Sequence, residues 1–553
     1  MESINRRKIF PILLIFLLSL LPLLNLLHEG LPLTHDGLDH VARVANFYKN
    51  LTQGIFIPRW APDLNWGFGH PILMFLYPLP SYASSLFHLI GFSYIDSLKL
   101  VFGVSYVLSG IFMYLWLGEF LDGGASMLGG ILYLFAPYRF IDLYVRGAFG
   151  EHVAFVFLPL VLYTLYNLNK VSNKARIRNY YLQVLFVAIC FAALVLSHNA
   201  ISLLFIPFVI FYIFYLYLEN KSKIKLALSF LSLFYGFLFS FFFWFPAFME
   251  GRYTLRDIVT SGEYLKRFVE GKALLYGAWS FGGTGQFSVQ IGIVHILLTV
   301  LSILLFFKLF KRANKQRYLL AGTLIIFISS VFLMLPASNL VWHKLAILQK
   351  LQFPWRFLSI VVFATSVLGA IFVAKINLKN KKILTFILIA VSVLITLPYW
   401  HARDYKTIPN NFFETTYEGT TDTGESSPIW SIRFMEKRAV DEIEVIDGHS
   451  SITKGKRLVN YHSYVVSATQ RTRLRENTLY FPGWKVYDNG KLVENIEFQD
   501  PKNRGIITFY VNAGRHDIAL RFEDTKLRKF ANTVSLGSIL FSLFLIGRLK
   551  LKK

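Results

Sequence analysis

Residues 9–27 read IFPILLIFLLSLLPLLNLL, a stretch without a charge that directly follows the basic run Asn5-Arg6-Arg7-Lys8. A helix of about 20 apolar residues is long enough to cross the hydrocarbon core of a bilayer. The stretch resembles a signal peptide, but it is long for one, and no small-x-small cleavage site follows it. We therefore expect an uncleaved first span whose N-terminus lies in the cytoplasm.

The composition excludes a water-soluble protein. Of the 553 residues, 54% are hydrophobic and only 16% are charged, whereas soluble domains carry about 25% charged residues. The formal charge of +24 would indicate nucleic-acid binding in a soluble protein. Here the Lys and Arg residues sit mainly in short loops between apolar runs, as in the cytoplasmic loops of membrane proteins, so no nucleic-acid partner is expected.

Eleven further apolar runs bring the predicted number of spans to twelve, in an α-helical polytopic membrane protein. They lie at 97–118, 125–139, 151–169, 180–197, 200–218, 224–246, 289–308, 318–336, 356–375, 382–399 and 530–548. The basic loops are 170–178, 221–225, 308–317, 375–382 and 548–553. Twelve spans place all five loops and both termini in the cytoplasm, which predicts a multi-pass protein of the plasma membrane with its polar loops outside.

The apolar segment 72–92 belongs to the first outer loop, 28–96, in this scheme. Pro78 and Pro80 break its centre, and a helix-breaking pair at membrane depth is tolerated only inside protein or beside a cavity. Counting this segment as a span would also reverse every later loop. We predict a juxtamembrane or re-entrant element.

The stretch after the eleventh span has the composition of an outer β-domain. It contains runs of β-forming residues bounded by turn residues, and Asp488-Asn489-Gly490-Lys491 is a two-residue hairpin signal. Because Cys190 is the single cysteine, no disulfide can support this domain, and we expect it to fold on its own core. The predicted organisation is a membrane domain at 1–399, an irregular linker at 400–434, a β-sandwich at 435–525, and a last span with a basic tail at 530–553.

The first outer loop carries a cluster of polar residues. If this part is helical, Asp36, Asp39, His40 and Arg43 share one face, at positions i, i+3, i+4 and i+7. A carboxylate in a partly desolvated site can act as a general base. Alternatively, Thr34 or Asp36 simply caps the helix and the others are solvated, or His35 joins Asp36, Asp39 and His40 in binding a divalent cation. No more distant ligand spacing supports a metal.

The order of short motifs along the chain resembles a family of bacterial and archaeal membrane proteins related to 6-pyruvoyl-tetrahydropterin synthase, which are similar to the YfhO-like branch of the GT-C glycosyltransferases. The family name implies no pterin chemistry here. The matching motifs are Asp36-x-x-x-His40, Gly54…Pro58-Arg59-Trp60, Gly67-Phe68-Gly69-His70-Pro71, Tyr77-Pro78-Leu79-Pro80, Arg146-Gly147-Ala148-Phe149-Gly150-Glu151, Ser197-His198-Asn199, Phe353-Pro354-Trp355-Arg356 and Phe481-Pro482-Gly483-Trp484.

This resemblance implies a polyprenyl-phosphate-sugar donor and an acidic catalytic residue in the first outer loop. By position, Asp36 is the first candidate for the base that deprotonates the acceptor hydroxyl, and Asp39 is the second. Arg146 and Arg356 are candidates for the departing lipid phosphate, because a guanidinium offers bidentate donors. The remaining candidates for substrate binding are His40, Arg43, Arg59, Glu151 and His198.

Each of these arginines and the histidine also has a structural interpretation. Arg146 can form an ion pair with Glu151 in the same turn, and Arg356 can extend from a span end towards the interface. His198 lies at a span boundary and can be a packing residue. Ionisable groups at a membrane edge are nonetheless functional candidates.

The function predicted from the sequence is an inverting membrane glycosyltransferase that uses an extracytoplasmic lipid, cell-wall polymer or glycan as acceptor. The competing hypotheses are a transporter or flippase of lipid-linked envelope precursors, and a non-catalytic assembly protein. Transporters often have internal repeats and ionisable groups near the bilayer midplane, whereas the polar residues here lie at outer span ends. The transferase is therefore favoured.

Overall fold

The computed structural model describes residues 6–282, 287–310 and 316–551. Most of this part of the chain is helical. The α-helices are Arg6–Leu23, Gly37–Thr52, Ile72–Phe75, Leu79–Leu89, Tyr94–Leu117, Gly123–Leu134, Pro137–Phe140, Phe149–Lys170, Ile177–Ser197, Asn199–Asn220, Lys223–Phe239, Phe241–Glu250, Arg256–Val259, Gly271–Leu275, Ile293–Phe310, Gln316–Met334, Asn339–Lys344, Ala346–Gln349, Leu358–Lys375, Lys381–Leu394 and Lys526–Leu551. A π-helix at Ile141–Arg146 precedes the helix that starts at Phe149.

Within the described ranges, nine helices are long and apolar enough to cross a membrane, so the protein is a multi-pass membrane protein. They are Ile9–Leu27, Tyr94–Leu117, Phe149–Lys170, Ile177–Ser197, Asn199–Asn220, Gln316–Met334, Pro354–Lys375, Lys381–Tyr399 and Lys526–Leu549. A tenth span is obtained if Lys223–Phe239 and Phe241–Tyr253, which meet at 68°, are counted as one broken helix.

Two of the twelve predicted spans are shorter than predicted. The segment predicted at 125–139 is the 12-residue helix Gly123–Leu134, because Ala136 precedes Pro137 and adopts the extended conformation that a following proline favours. The segment predicted at 289–308 becomes helical only at Ile293, after Gly292, whose φ of +105° is incompatible with a helix. The segment 72–92 forms two short helices of 4 and 11 residues rather than a span.

Three of the five basic loops, at 170–178, 221–225 and 375–382, lie at one end of the helix bundle. The ammonium group of Lys170 lies 2.5 Å from a carboxylate oxygen of Glu119, and that of Lys381 lies 2.8 Å from Asp122. Lys225 donates to the carbonyl of Asn169 at 2.8 Å. The loop that contains Glu119 and Asp122 has no positive charge of its own, yet it lies with the lysine-rich loops. The side of the membrane on which this end lies stays a prediction.

The β-structure consists of a two-stranded ribbon and two larger antiparallel sheets. The strands are β1 Leu31–Pro32, β2 Tyr405–Lys406, β3 Ile443–Asp447, β4 Ser450–Arg457, β5 Tyr461–Ala468, β6 Thr472–Leu479, β7 Trp484–Asp488, β8 Lys491–Leu492, β9 Ile506–Val511 and β10 Gly514–Phe522. One sheet has the order β4-β5-β10-β7-β8 and the other β3-β6-β9. The hairpin predicted at Asn489-Gly490 joins β7 to β8, and both residues have positive φ, as such a turn requires.

The core of this β-sandwich is formed mainly by its own side chains, and side chains of the first loop join it. Trp60, Phe68 and Phe75 of the first loop belong to the same buried cluster as the inward-facing side chains of the two sheets. The indole of Trp60 packs edge-on against Trp484, with ring centroids 5.5 Å apart. The first loop and the sandwich therefore stabilise each other.

The segment 400–434 is irregular but closely packed. Its strand β2 pairs with β1 at the start of the first loop. Farther along, the backbone carbonyls of Tyr417 and Gly419 accept hydrogen bonds from Trp66 and Asn65, at 2.9 and 2.8 Å. This segment forms a wall of the first-loop region rather than a free connection.

Candidate functional site

Two turns that lie more than 100 residues apart in the chain are joined by their backbones. The amide of His35 donates to the carbonyl of Val145, and the amide of Asp36 donates to that of Arg146, both at 2.9 Å. Gly147 adopts a left-handed φ of +65°, and a Cβ atom at this residue would lie 2.4 Å from the hydroxyl oxygen of Thr34. The close approach therefore requires a glycine, and it fixes the position of Asp36 relative to Arg146.

Asp36 is the residue before the first turn of helix Gly37–Thr52, but its carboxylate does not cap the helix. The amide of Gly37 instead receives its hydrogen bond from the hydroxyl of Thr34, at 3.1 Å. The Asp36 side chain is half-buried, and it has no hydrogen bond or ion pair with another described residue. It is therefore available to a substrate.

Asp39 already has a partner. Its carboxylate accepts a hydrogen bond of 2.8 Å from the hydroxyl of Tyr417, in the segment predicted as a linker. Burial raises the pKa of Asp39 above its ordinary value, while the neighbouring Arg43 guanidinium and the Tyr417 hydroxyl oppose the change. The first-loop helix and the shared face of Asp39, His40 and Arg43 are as predicted.

His40 and Arg43 are buried and bonded to each other. Arg43 donates from Nη1 to Nδ1 of His40 at 3.0 Å, and from Nε to the hydroxyl of Thr421 at 2.9 Å. A guanidinium can only donate, so Nδ1 of His40 carries no proton. Burial lowers the pKa of His40 well below its ordinary value, and the charge of Arg43 adds to this effect. His40 is thus a neutral imidazole at physiological pH.

Arg146 is held by two carboxylates and a phenol. Its Nη1 atom lies 2.6 Å from Asp142, 2.8 Å from Glu151 and 2.9 Å from the hydroxyl of Tyr138, and its guanidinium stacks 4.3 Å from the ring centroid of Trp355. The ion pair with Glu151 that the sequence allowed is present. All of these hydrogen bonds use Nη1, so Nη2 and Nε do not hydrogen-bond to another described residue.

Glu151 is completely buried and receives three hydrogen bonds. Besides Arg146, the hydroxyl of Tyr138 donates to its Oε1 atom at 2.9 Å, and the hydroxyl of Ser359 donates to the same oxygen. The carboxylate thereby connects the turn at Arg146 to the helix that follows Arg356. Both of its oxygens accept hydrogen bonds from side chains of the protein.

Tyr77 lies at the centre of the candidate residues. Its ring stacks on His198 with a centroid distance of 4.7 Å and packs against Gly150, where a Cβ atom would lie 2.0 Å from it. Burial raises the pKa of the Tyr77 hydroxyl, and the charges of Arg43, Asp36 and Arg356 all act on it. Asp36 and Arg356 are thus neighbours of the same side chain.

His198 and Arg356 both have structural partners as well. Nδ1 of His198 accepts the amide hydrogen of Ile201 at 3.2 Å and caps helix Asn199–Asn220. Burial lowers the pKa of His198 to about 3, and the nearby charge of Arg356 contributes. Arg356 donates to the carbonyl of Leu351 at 2.7 Å, while its buried Nε has no hydrogen-bond partner among the described residues. One edge of this guanidinium remains unused.

The structure does not bring Arg59 together with Asp36 and Arg146, and its assignment to substrate binding stays a prediction. It lies between the first loop, the β-sandwich and the last helix, where Nη2 donates to Asn532 at 2.7 Å and Nε lies 3.6 Å from Asp524. The motif order had grouped it with the others because it follows the Asp36 helix closely in sequence. The chain turns away after this helix and carries Arg59 towards the sandwich.

The divalent-cation alternative gains no support from the arrangement. Among the described residues, which include His35, Asp36, Asp39 and His40, no group of three or more His, Cys, Asp or Glu side chains is placed to hold a metal ion. His35 instead bonds through Nε2 to the carbonyl of Phe281, at 2.7 Å.

Sequence reasoning missed several residues of the site. Asp142 lies four residues before Arg146, and this spacing between opposite charges could have identified it. Trp355 was part of a recognised motif, but only its neighbour Arg356 was singled out. Tyr417 and Thr421 gave no signal, because they lie in an irregular segment whose contacts depend on the tertiary fold.

One known protein shares sequence similarity with part of this chain. An uncharacterized protein of Lactococcus lactis subsp. cremoris is 31% identical over 224 residues, which are 38% of this chain and 35% of that protein. This chain thus spans about a third of that relative.

Solved structures that resemble the chain include the arabinofuranosyltransferase AftD from Mycobacteria, with TM-score 0.44 and 14% identity over 74% of this chain and 29% of that one. The Archaeoglobus fulgidus oligosaccharyltransferase has TM-score 0.46 and 13% identity, over 76% and 61% of the two chains. ArnT from Cupriavidus metallidurans, bound to undecaprenyl phosphate, has TM-score 0.43 and 12% identity, over 74% and 68%.

The model of the 6-pyruvoyl-tetrahydropterin synthase related domain, a membrane protein family, matches residues 73–402. This match covers more than half of the chain and includes the turn at Arg146, His198 and Arg356. The chain therefore belongs to this family of membrane proteins, as its motifs indicate.

Proposed function

We propose that the protein is an inverting membrane glycosyltransferase that moves a sugar from a polyprenyl-phosphate-linked donor to a hydroxyl group of an extracytoplasmic acceptor. The acceptor is a lipid, a cell-wall polymer or a glycan. Asp36 is the general base, and Arg146 and Arg356 bind the phosphate of the donor. The observation that carries the proposal is the backbone pairing of the Asp36 and Arg146 turns, which brings the backbone of a residue with an unpartnered carboxylate next to that of a buried arginine.

The proposed reaction uses these groups as follows. Asp36 removes the proton from the acceptor hydroxyl as its oxygen attacks the anomeric carbon of the sugar. The bond between this carbon and the phosphate oxygen breaks on the opposite face, which inverts the configuration. The negative charge that develops on the departing lipid phosphate is stabilised by preorganised donors, which have their largest effect in a site that excludes water.

The contacts favour Asp36 over Asp39 as the base. Asp39 accepts a hydrogen bond from Tyr417 and lies near Arg43, so it is already committed within the protein. Asp36 has no such partner, and a base must reach the proton that it abstracts. We assign Asp39, with His40 and Arg43, to holding the first-loop helix against segment 400–434.

The unused donors of the two arginines support the assignment of the phosphate. Nη2 of Arg146 and Nε of Arg356 have no hydrogen-bond partner among the described residues. Glu151 and Asp142 hold Arg146 in place through its Nη1 atom. A phosphate between the two guanidinium groups would accept from both.

Mass spectrometry of the cell envelope tests the proposed function. Lipids and polymers are compared between cells that lack the gene and cells that express the wild-type chain. We expect a sugar decoration that disappears without the gene, and a lipid-linked precursor that accumulates. An unchanged set of glycosylated lipids and polymers contradicts the proposal.

A further inference from the structure

A cavity of about 350 Å³ lies between the first loop, the β-sandwich and the last helix, apart from the site at Asp36. Its walls include Arg59 and Trp60 of the first loop, Asn460 and Phe522 of the sandwich, and Asn532 of the last helix. Pockets for small molecules have volumes of about 300–1,000 Å³. The cavity is therefore large enough for a small ligand.

Two side chains that line this cavity have polar atoms without a hydrogen-bond partner among the described residues. Arg59 is only 5% exposed, and its Nε and Nη1 atoms are buried without a hydrogen-bond partner in the described part of the protein. The side-chain amide of Asn460 is half-buried and makes no hydrogen bond to another described residue. Buried polar groups are almost always satisfied in native proteins, so the two buried nitrogens of Arg59 indicate a ligand that supplies hydrogen bonds, and the half-buried amide of Asn460 is open to the same ligand.

The charges around the cavity are balanced. Arg59 pairs with Asp524, and Asn532 bridges the two, accepting from Arg59 at 2.7 Å and donating to Asp524 at 2.8 Å. Behind them, Arg528 pairs with Glu250 at 2.8 Å. A phosphate would meet the Asp524 carboxylate as well as the guanidinium. A neutral ligand that both donates and accepts hydrogen bonds fits this balance better.

One wall of the cavity is aromatic. Phe522 and the exposed Phe56 line it, and the buried indole of Trp60 packs behind Phe522, with their ring centroids 5.4 Å apart. Aromatic rings provide a rigid apolar surface, and the face of a pyranose ring presents C–H groups that pack on such a surface. Amide, carboxylate and guanidinium groups facing an aromatic wall are the complement of a sugar ring with its hydroxyl groups.

We propose that this cavity binds a neutral saccharide unit. Phe56 and Phe522 pack against the sugar ring, and Asn460, Arg59 and Asp524 hydrogen-bond its hydroxyl groups. Because Asn532 belongs to a membrane span, the saccharide can be carried by a lipid or belong to a soluble glycan. Binding at this cavity involves neither Asp36 nor the proposed donor site, so it can be tested without sugar transfer.

The test uses the full chain in nanodiscs and two probes. Soluble oligosaccharides are presented on a glycan microarray, and saccharides linked to a lipid carrier are incorporated into the nanodisc and detected by native mass spectrometry. The variants are Asn460→Trp, which fills the cavity, and Asn460→Ala, which removes the amide. Asn495→Trp is the matched control, because Asn495 is an exposed asparagine of the same domain outside the cavity.

We expect at least one neutral saccharide to bind to the wild type and to Asn495→Trp, and to bind at least tenfold more weakly to both Asn460 variants at unchanged thermal stability. The probe that binds identifies the source of the saccharide. Asn460→Ala decides the matter if the larger substitution unfolds the chain. Failure of every neutral saccharide to bind, or equal binding to the Asn460 variants, overturns the proposal. Binding of inorganic phosphate or anionic phospholipid that depends on Asn460, without saccharide binding, also overturns it and assigns an anion site.

Discussion

The substitution Glu151→Gln tests whether the buried network around Arg146 is as stringent as its geometry indicates. Glu151 is completely buried and accepts from Arg146, Tyr138 and Ser359. Glutamine has the same shape, but it has a single acceptor oxygen, and its amide nitrogen would face the Nη1 atom of Arg146. One of the donors therefore loses its partner.

The expected loss of stability follows from the burial of Glu151 and from the counterion that Arg146 keeps. Removing one partner of a buried ion pair costs about 3–5 kcal/mol. Asp142 stays 2.6 Å from the same nitrogen of Arg146, so the guanidinium keeps a counterion. We expect a loss at the lower end of the range, about 3 kcal/mol in the free energy of unfolding.

Lys272→Gln is the matched control, because Lys272 forms an ion pair with Glu270 in which the two side chains are 86% and 69% exposed. Exposed pairs contribute about 0.2–1 kcal/mol. Both variants are unfolded with sodium dodecyl sulfate in mixed micelles, and tryptophan fluorescence is followed. If Glu151→Gln destabilises the protein no more than Lys272→Gln, the buried network does not have the strength assigned to it.

Three further predictions concern the first loop and the turn at Gly147 that packs against it. Burial raises the folded-state pKa of Asp39, so its ionisation opposes folding as the pH rises. The variant Asp39→Asn should therefore have a larger free energy of unfolding than the wild type at about pH 7, and this difference should disappear towards about pH 4. Burial lowers the pKa of His40, so the protein loses stability as the pH falls below the unfolded-state pKa of 6.5. His40→Gln still accepts a hydrogen bond from Arg43 but does not titrate, so its free energy of unfolding should fall less than that of the wild type between about pH 6.5 and pH 4.5. Gly147→Ala should lower the melting temperature much more than Gly490→Ala, since both residues have positive φ but only the first would place a methyl group 2.4 Å from Thr34; equal effects would mean that the two turns are not in tight contact.

The sequence predicts the helices well, because each apolar run contains the information for its own burial. It also predicts the Asn489-Gly490 hairpin, whose conformation depends on two neighbouring residues. Helix ends are less predictable where a break is local, as at Pro137, where a run of apolar residues hides a change of direction. The contribution of Trp60 to the core of the sandwich could not be predicted, because it comes from a contact distant in sequence.

The candidate site divides in the same way. Asp39, His40 and Arg43 were placed correctly on one face, because helical spacing determines it. The contact between Asp36 and Arg146 depends on backbone pairing between distant turns, which no local pattern encodes. Arg59 follows the helix of Asp36 closely in sequence, yet its contacts are with the last helix and Asp524, so nearness in sequence does not determine where a side chain lies.

The central claim is that the carboxylate of Asp36 is the base of a sugar transfer. It is tested most directly by the initial transfer rate in membranes that contain the wild type, Asp36→Asn, Asp39→Asn or Asp257→Asn at equal abundance, measured with the lipid-linked precursor found in the envelope comparison. Asp257 is an exposed aspartate outside the site and serves as the control. The account predicts a loss of at least about 100-fold for Asp36→Asn, as for removal of a general base, a smaller loss for Asp39→Asn, and an unchanged rate for Asp257→Asn. Transfer at the wild-type rate by a normally folded Asp36→Asn protein would contradict it.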